Sequence, residues 1–224
     1  MMKSVLIIHA HPEDKSFCHS LFKSATDYFK SKGFSVETSH LYKMNFNPVG
    51  GKHDFKELAN HDFFKYQLEQ VNAFNHNLFT EELVTEMNKL EKSDIIIFNF
   101  PLWWFGLPAI LKGWVDRVFA MGKVYGAGKG VYDSGVYKNK IAFACITTGG
   151  PEVAYGETGK NGDLSKILFP IHHGMFYFTG MTVLEPFISF SPARQTEDHL
   201  KSELERYRVF LDSLEKQKIL YSNR

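Results

Sequence analysis

Residues 95–119 read IIIFNFPLWWFGLPAILKGWVDRVF, and this stretch decides the fold. It begins with Ile95-Ile96-Ile97-Phe98, a continuous apolar run without polar alternation, as expected of a strand buried on both faces of a parallel sheet. After Gly106 the period changes. Leu107, Ile110, Leu111, Trp114, Val115, Val118 and Phe119 recur at i, i+3, i+4 and i+7, which predicts a helix with one apolar face and Pro108 in its first turn. A buried strand feeding an amphipathic helix through a short loop is half of a βαβ unit.

The same signature repeats on either side. Val5-Leu6-Ile7-Ile8 and Ile141-Ala142-Phe143-Ala144-Cys145-Ile146 are equally apolar and continuous. A weaker strand is expected over Ser35–Leu41, after Gly33 at a helix C′ position, and a last one over Thr182–Leu184, continuing toward Phe190. Helices are expected from Ser16, a candidate N-cap, to about Lys32, and near Glu81–Lys92, Asp163–Phe178 and Thr196–Lys216. The alternating order predicts one α/β domain spanning residues 1–224: a doubly wound, five-stranded parallel sheet with helices on both faces. The stretch Asn45–Asn77 breaks the rhythm. It is too long for an ordinary connection, so it should be functional or interfacial.

Composition narrows the class. The net charge of +1 gives no bulk electrostatic reason for a nucleic-acid or membrane-surface partner, and no segment is apolar for long enough to span a bilayer. Two cysteines, Cys18 and Cys145, cannot make a disulfide framework, which points to the reducing cytoplasm. Phe, Tyr and Trp together reach 15%, a share that suits both core packing and pockets for flat ligands.

Ligands of an open parallel sheet bind beyond the carboxyl ends of its strands. Three loops lie there. His11, Ser16, Phe17 and Cys18 lead from a strand to a helix N-terminus, whose free N–H groups suit a phosphate. Pro101-Leu102-Trp103-Trp104-Phe105-Gly106 offers an aromatic wall on a stiffened backbone, fit for a planar heterocycle. Thr147-Thr148-Gly149-Gly150, with Tyr155 shortly after, lets the backbone approach a ligand and supplies a donor for developing negative charge. Each loop alone also reads as ordinary structure: a capped turn, an interface cluster, a glycine turn with a surface tyrosine. Together they favour a flavin.

The segment FNFPLWWFGLPAILKGWVDRVF, with ITTGG, VLEPF, SFCHSLF, SHLYKMNFNP and ILFPI, resembles the NAD(P)H:quinone oxidoreductases of the DT-diaphorase family, from the first strand to about Pro186. The resemblance implies a flavodoxin-like, cytoplasmic homodimer with FAD, taking hydride from NAD(P)H and passing two electrons to a quinone in a ping-pong reaction. It implies that His11, Ser16, Phe17 and Cys18 face the pyrophosphate, and that Pro101, Leu102, Trp103, Trp104, Phe105, Thr147, Thr148, Gly149, Gly150 and Tyr155 hold the flavin. Gly149, Gly150 and Tyr155 take the catalytic role, and Trp104, Phe105, Val131, Asn161 and Phe178 face the substrate. Asn45–Asn77 is where such proteins shelter the adenosine half and the dimer interface, which favours FAD over FMN.

Three departures from that family stand out. Cys18 replaces a common asparagine. Asn161 stands where a histidine would complete a proton relay with Tyr155, and an amide takes up no proton. Glycines replace a tyrosine pair in Val124–Val131. The alternatives within reach are a nitro, azo or flavin reductase of the same fold, and an ancillary regulatory flavoprotein of a potassium efflux system. His172 and His173 suggest a metal, but neighbours on a helix point about 100° apart, and no nearby Cys or carboxylate completes a zinc-like spacing, so no metal is expected. Asp116, Arg117 and Glu185 read as makers of structural salt bridges.

Overall fold

Seven strands and six α-helices are distributed along residues 3–223, the part of the chain that the computed structural model describes. They are β1 (Ser4–His9), α1 (Phe17–Ser31), β2 (Ser35–His40), α2 (Tyr66–His76), α3 (Glu81–Lys92), β3 (Ile95–Pro101), α4 (Ala109–Val118), β4 (Ile141–Thr148), α5 (Leu164–Ile171), β5 (Thr182–Leu184), β6 (Phe187–Phe190), α6 (Glu197–Asp212) and β7 (Ile219–Tyr221).

The strands form one sheet in the order β2-β1-β3-β4-β5, all parallel, so the chain reverses its direction of winding between β1 and β3. β3 and β4 are buried almost throughout, as their unbroken apolar runs require. Alternate residues serve opposite faces. Leu6, Ile8, Ile96 and Phe98 join the larger core under α3, α4 and α5, while Val5, Ile7, Ile95, Ile97 and Phe143 join the smaller core under α1 and α6.

Two strands were not foreseen. The run after Thr182 does not continue to Phe190. It breaks at Glu185-Pro186, where proline has no N–H to give a ladder, and resumes as β6 alongside Cys145–Thr148 of β4. Glu185 N–H turns instead to the carbonyl of Lys218, and β7 closes the edge antiparallel to β5. The expected helix over Asp163–Phe178 is also interrupted. With Pro170 inside it, α5 ends at Ile171, and a wider π turn (His172–Phe176) and a 3-10 turn follow. Ser16 caps α1, accepting from His19 N–H at 3.1 Å, and Gly33 takes the left-handed C′ position (φ 78°). Pro108 is the N-cap of α4 rather than a first-turn residue.

Residues 45–77 hold a 3-10 turn (Lys52–Asp54) and α2, and they pack on the α4 side of the sheet. Pro48 lies so close over Gly113 that any Cβ there would overlap the proline carbonyl and Cα. Gly113→Ala is therefore expected to lower stability by about 1–3 kcal/mol in urea denaturation, the cost of overpacking a filled contact. The deeper tie is Arg117. Its guanidinium is buried and donates to Asp54 Oδ1 at 2.9 and 2.7 Å, to Glu82 Oε2 at 3.0 Å and to the Asn47 carbonyl, over the ring of Phe46. Thus Arg117 does make a structural ion pair, although not with its neighbour Asp116, which pairs with Lys112 one helical turn away. Among the described residues Glu185 makes no ion pair; it lines a small apolar cavity with Leu164, Leu168 and His172.

His172 is buried, with Nε2 unpartnered, and burial pulls its pKa down to about 4. His9, also buried, falls to about 3, through burial first. Both stay neutral in the folded chain while the unfolded chain takes up protons below about 6.5. Their share of stability is thus whole above that pH and is lost as pH falls toward 4. His172→Phe should lose about 2 kcal/mol less between pH 7 and pH 5 than the parent, as read from denaturation curves at the two pH values. Equal losses would mean that His172 is protonated alike in both states.

Candidate functional site

The carboxyl ends of β1, β3, β4 and β6 open into one groove of about 680 Å³, within the range of small-molecule sites. All three sequence-predicted loops contribute to it. His11, Ser16, Phe17 and Cys18 come from β1–α1, Pro101, Leu102 and Trp103 from β3–α4, and Thr147, Thr148 and Gly149 from the end of β4. The register explains the convergence: Pro101 pairs with Thr147, and Leu102 N–H donates to the Thr147 carbonyl at 2.8 Å.

At the first loop, Glu13 N–H donates to His11 Nδ1 at 3.0 Å. The ring proton is thereby placed on Nε2, which is left as a donor. Desolvation lowers the His11 pKa, so it donates as a neutral ring. Cys18 lines the groove, but its thiol is turned inward, donating to Asn99 Oδ1 at 3.5 Å, and burial pushes its pKa well up. What Cys18 can offer a ligand is its backbone at the helix N-terminus. Cys145 is buried and free, its thiol pushed up to about 12 by desolvation.

The aromatic loop is a tight turn. Gly106 N–H closes onto the Trp103 carbonyl at 3.0 Å, with Trp104 (φ 49°) and Phe105 (φ 59°) both in the left-handed region. Two adjacent bulky residues there cost about 1–3 kcal/mol each, a strain that a fold keeps where loop geometry serves function. The turn leaves Trp104 97% exposed and Phe105 and Trp103 partly so.

Tyr155, Asn161 and Gly150 meet within the connection between β4 and α5. A Cβ on Gly150 would lie 3.0 Å from Asn161 Nδ2 and 3.3 Å from Tyr155 Oη, so any side chain there would press on both. Asn161 N–H ties to the Ala154 carbonyl at 2.8 Å, and the Tyr155 ring rests against Phe190. Gly149 faces open space. A phenol and an amide thus stand together beside a backbone open to a flat ligand.

Trp104, Phe105, Gly150, Tyr155 and Asn161 follow residues that line the groove without lining it themselves, and Val131 and Phe178 lie apart from it. Phe178 packs with Tyr125 and Tyr132 in a separate aromatic cluster, with Val131 next to Tyr132 in the chain. No residue of Asn45–Asn77 is among those lining the groove of this chain either; Val49, Phe63, Leu68 and Phe74 of that segment are exposed. Sequence reasoning missed one wall. Ser191, Pro192, Ala193, Arg194, Gln195 and Leu200, following β6, prolong the groove and add a second cation to Lys15. Ser191, itself left-handed (φ 49°), donates its N–H to the Thr148 carbonyl at 2.9 Å. The sequence signal for this wall was weak because β6 itself went unseen.

Known proteins share this fold. A family described as having the flavodoxin-like fold matches residues 3–211. The ribosyldihydronicotinamide dehydrogenase [quinone] of Rattus norvegicus is 39% identical over 220 residues, which cover 98% of this chain and 95% of that protein. The NAD(P)H dehydrogenase [quinone] 1 of the same species is 38% identical over 98% of this chain and 80% of its own. A crystal structure from Klebsiella pneumoniae, described only provisionally as a quinone reductase, superposes with a TM-score of 0.93 at 33% identity, covering 98% of this chain and 87% of that one.

Proposed function

The chain belongs to the flavodoxin-like family that includes these quinone dehydrogenases, and from that membership we propose that it is an FAD-dependent NAD(P)H:quinone oxidoreductase working by two-electron, ping-pong transfer. The observation that carries the proposal is the single groove into which all three strand-end loops open.

The residues suit a flavin. Ser16, Phe17 and Cys18 present the N-terminus of α1 to a phosphate, and Lys15 and Arg194 bring positive charge to the same groove. Trp103 and the Thr147–Gly149 backbone offer a flat wall with fixed polar groups. The extension past Ser191 to Leu200 gives room beyond a single phosphate, which supports FAD over FMN. When bound, the flavin supplies the hydride chemistry; the protein supplies position and electrostatics.

The chain's own residues then have defined tasks. His11 donates from Nε2 to the phosphate region. Tyr155 Oη donates toward the negative charge that hydride arrival creates, with Asn161 holding its place over Gly150. Because Asn161 cannot shuttle a proton, the balancing proton comes from solvent. Trp104 and Phe105 stack against donor and acceptor in turn, which occupy the same open face. Val131 and Phe178 complete this face from the second copy of a homodimer, which also covers the exposed apolar residues of 45–77. With no helix among the described residues long and apolar enough to cross a membrane, and both thiols free, we place the dimer in the cytoplasm.

The test is to purify the protein, release its cofactor by heat and identify it, then assay NADH, NADPH and N-ribosyl-dihydronicotinamide against menadione. Released FAD and rapid quinone-dependent oxidation of at least one donor are expected. Released FMN would overturn the FAD assignment, and turnover with azo or nitro compounds alone would overturn the quinone assignment.

A further inference from the structure

Outside the groove, three histidines converge on the α1 side of the sheet, at the carboxyl end of its β1–β2 edge. His9 and His40 are paired in the β1–β2 register, and His19, in the first turn of α1, lies over both. Their ring centroids form a triangle with sides of 4.6, 5.2 and 5.5 Å. His9 Nε2 and His19 Nδ1 are 3.3 Å apart, and one nitrogen from each ring lies within 4.8 Å of the others. Asp14, from the β1–α1 loop, reaches in from solvent with Oδ1 at 3.2 Å from His40 Nε2 and 3.8 Å from His19 Nδ1.

We propose that His9, His19 and His40, with Asp14, form a binding site for a divalent transition-metal ion, with Zn²⁺ as its representative. Ligands on a tetrahedral Zn²⁺ lie at about 2.0–2.1 Å, and the edge of that tetrahedron is about 3.3 Å, the separation that His9 and His19 already have. Three imidazoles and a carboxylate are a donor set that this ion takes readily.

The surroundings fix the donors. His9 Nδ1 donates to Asn99 Oδ1, which leaves the Nε2 lone pair facing His19 and supplies the outer hydrogen bond that metal-bound histidines usually carry. Phe22 stacks on the His9 ring at 4.6 Å and fixes its plane. In the ion-free state the proton on His19 Nδ1 bridges to His9 Nε2, and that on His40 Nε2 bridges to Asp14. On binding, each moves to the other nitrogen of its own ring, so neutral rings ligate without net proton release. His40 then gives up its long contact from Lys43 N–H, 3.3 Å to Nδ1. Lys23 and Lys43 also face His19, so Asp14 supplies the offsetting charge. Since Asp14 sits in the loop between His11 and Ser16, an ion here ties down a loop that lines the groove.

The test uses the full-length, cofactor-loaded protein after chelator treatment, titrated calorimetrically with Zn²⁺ near neutral pH. His19→Gln and His40→Gln lie on the solvent side and leave the buried His9–Asn99 pair intact; His76→Gln, exposed on α2, is the control. One ion per chain is expected in the parent and the control, with at least about tenfold weaker binding in each of the other two. Thermal unfolding should shift upward with Zn²⁺ in the parent and not in those two variants. Absence of stoichiometric binding in the parent would overturn the proposal, as would undiminished binding in both variants.

Discussion

Tyr155→Phe should slow flavin reduction by NADPH about a hundredfold in anaerobic stopped flow, the usual loss when one fixed donor to developing charge is removed. The change deletes only the hydroxyl. The ring still packs on Phe190, and Gly150 and Asn161 keep their places, so cofactor content should be unchanged. The loss should appear in the limiting rate rather than in the NADPH concentration needed for half of it, because the donor acts on charge absent from the ground state. Normally a histidine partner would share this work in the family that the sequence resembles. Here Asn161 Nδ2 approaches the same spot, and an amide neither gains nor loses a proton. An unchanged rate would remove Tyr155 from the reaction and leave the backbone of Gly149 and Gly150 as the source of stabilisation.

The second large effect concerns the platform. Arg117→Ala is expected to cost about 3–5 kcal/mol, because it leaves Asp54 charged and fully buried without its partner. Asp54 would keep Tyr66 OH and Gly51 N–H as donors and the half-exposed His53 Nε2 at 3.5 Å, but no guanidinium. The double variant Asp54→Asn/Arg117→Met should recover much of that loss, since it buries neither charge. Urea denaturation of the parent, Asp54→Asn, Arg117→Met and the double variant gives the coupling directly. Additive losses would show that the pair is not what ties residues 45–77 to α4.

These two cases show what was legible in the sequence. The runs of β1, β3 and β4 and the stripe of α4 are local patterns, so the doubly wound core could be read directly. The three loops at the strand ends then followed from topology. β6 was hidden because Pro186 interrupts a run that otherwise looks continuous, and β7 is three residues long. α2, with the sequence YQLEQVNAFNH, has too few apolar positions to announce itself. Arg117 and Asp54 are 63 positions apart, and no local pattern pairs them. The histidine triangle was missed for a similar reason. His9 and His40 become neighbours only through the β1–β2 register, whereas His172 and His173 are adjacent in the chain. His173 instead stacks on Phe169 at 4.7 Å. Val131 and Phe178 were placed at the substrate by resemblance, and within one chain they stand elsewhere.

The groove beyond β1, β3, β4 and β6 is proposed to hold a flavin that takes hydride from a nicotinamide and gives two electrons to a quinone. Anaerobic double-mixing stopped flow tests it most directly: NADPH first, then menadione, with the flavin absorbance followed throughout. Complete bleaching by one equivalent of NADPH is expected, with full return of the yellow oxidised form on one equivalent of quinone and no radical signal between them. A protein that carries no flavin, or whose flavin bleaches and is not reoxidised by quinone, would contradict it.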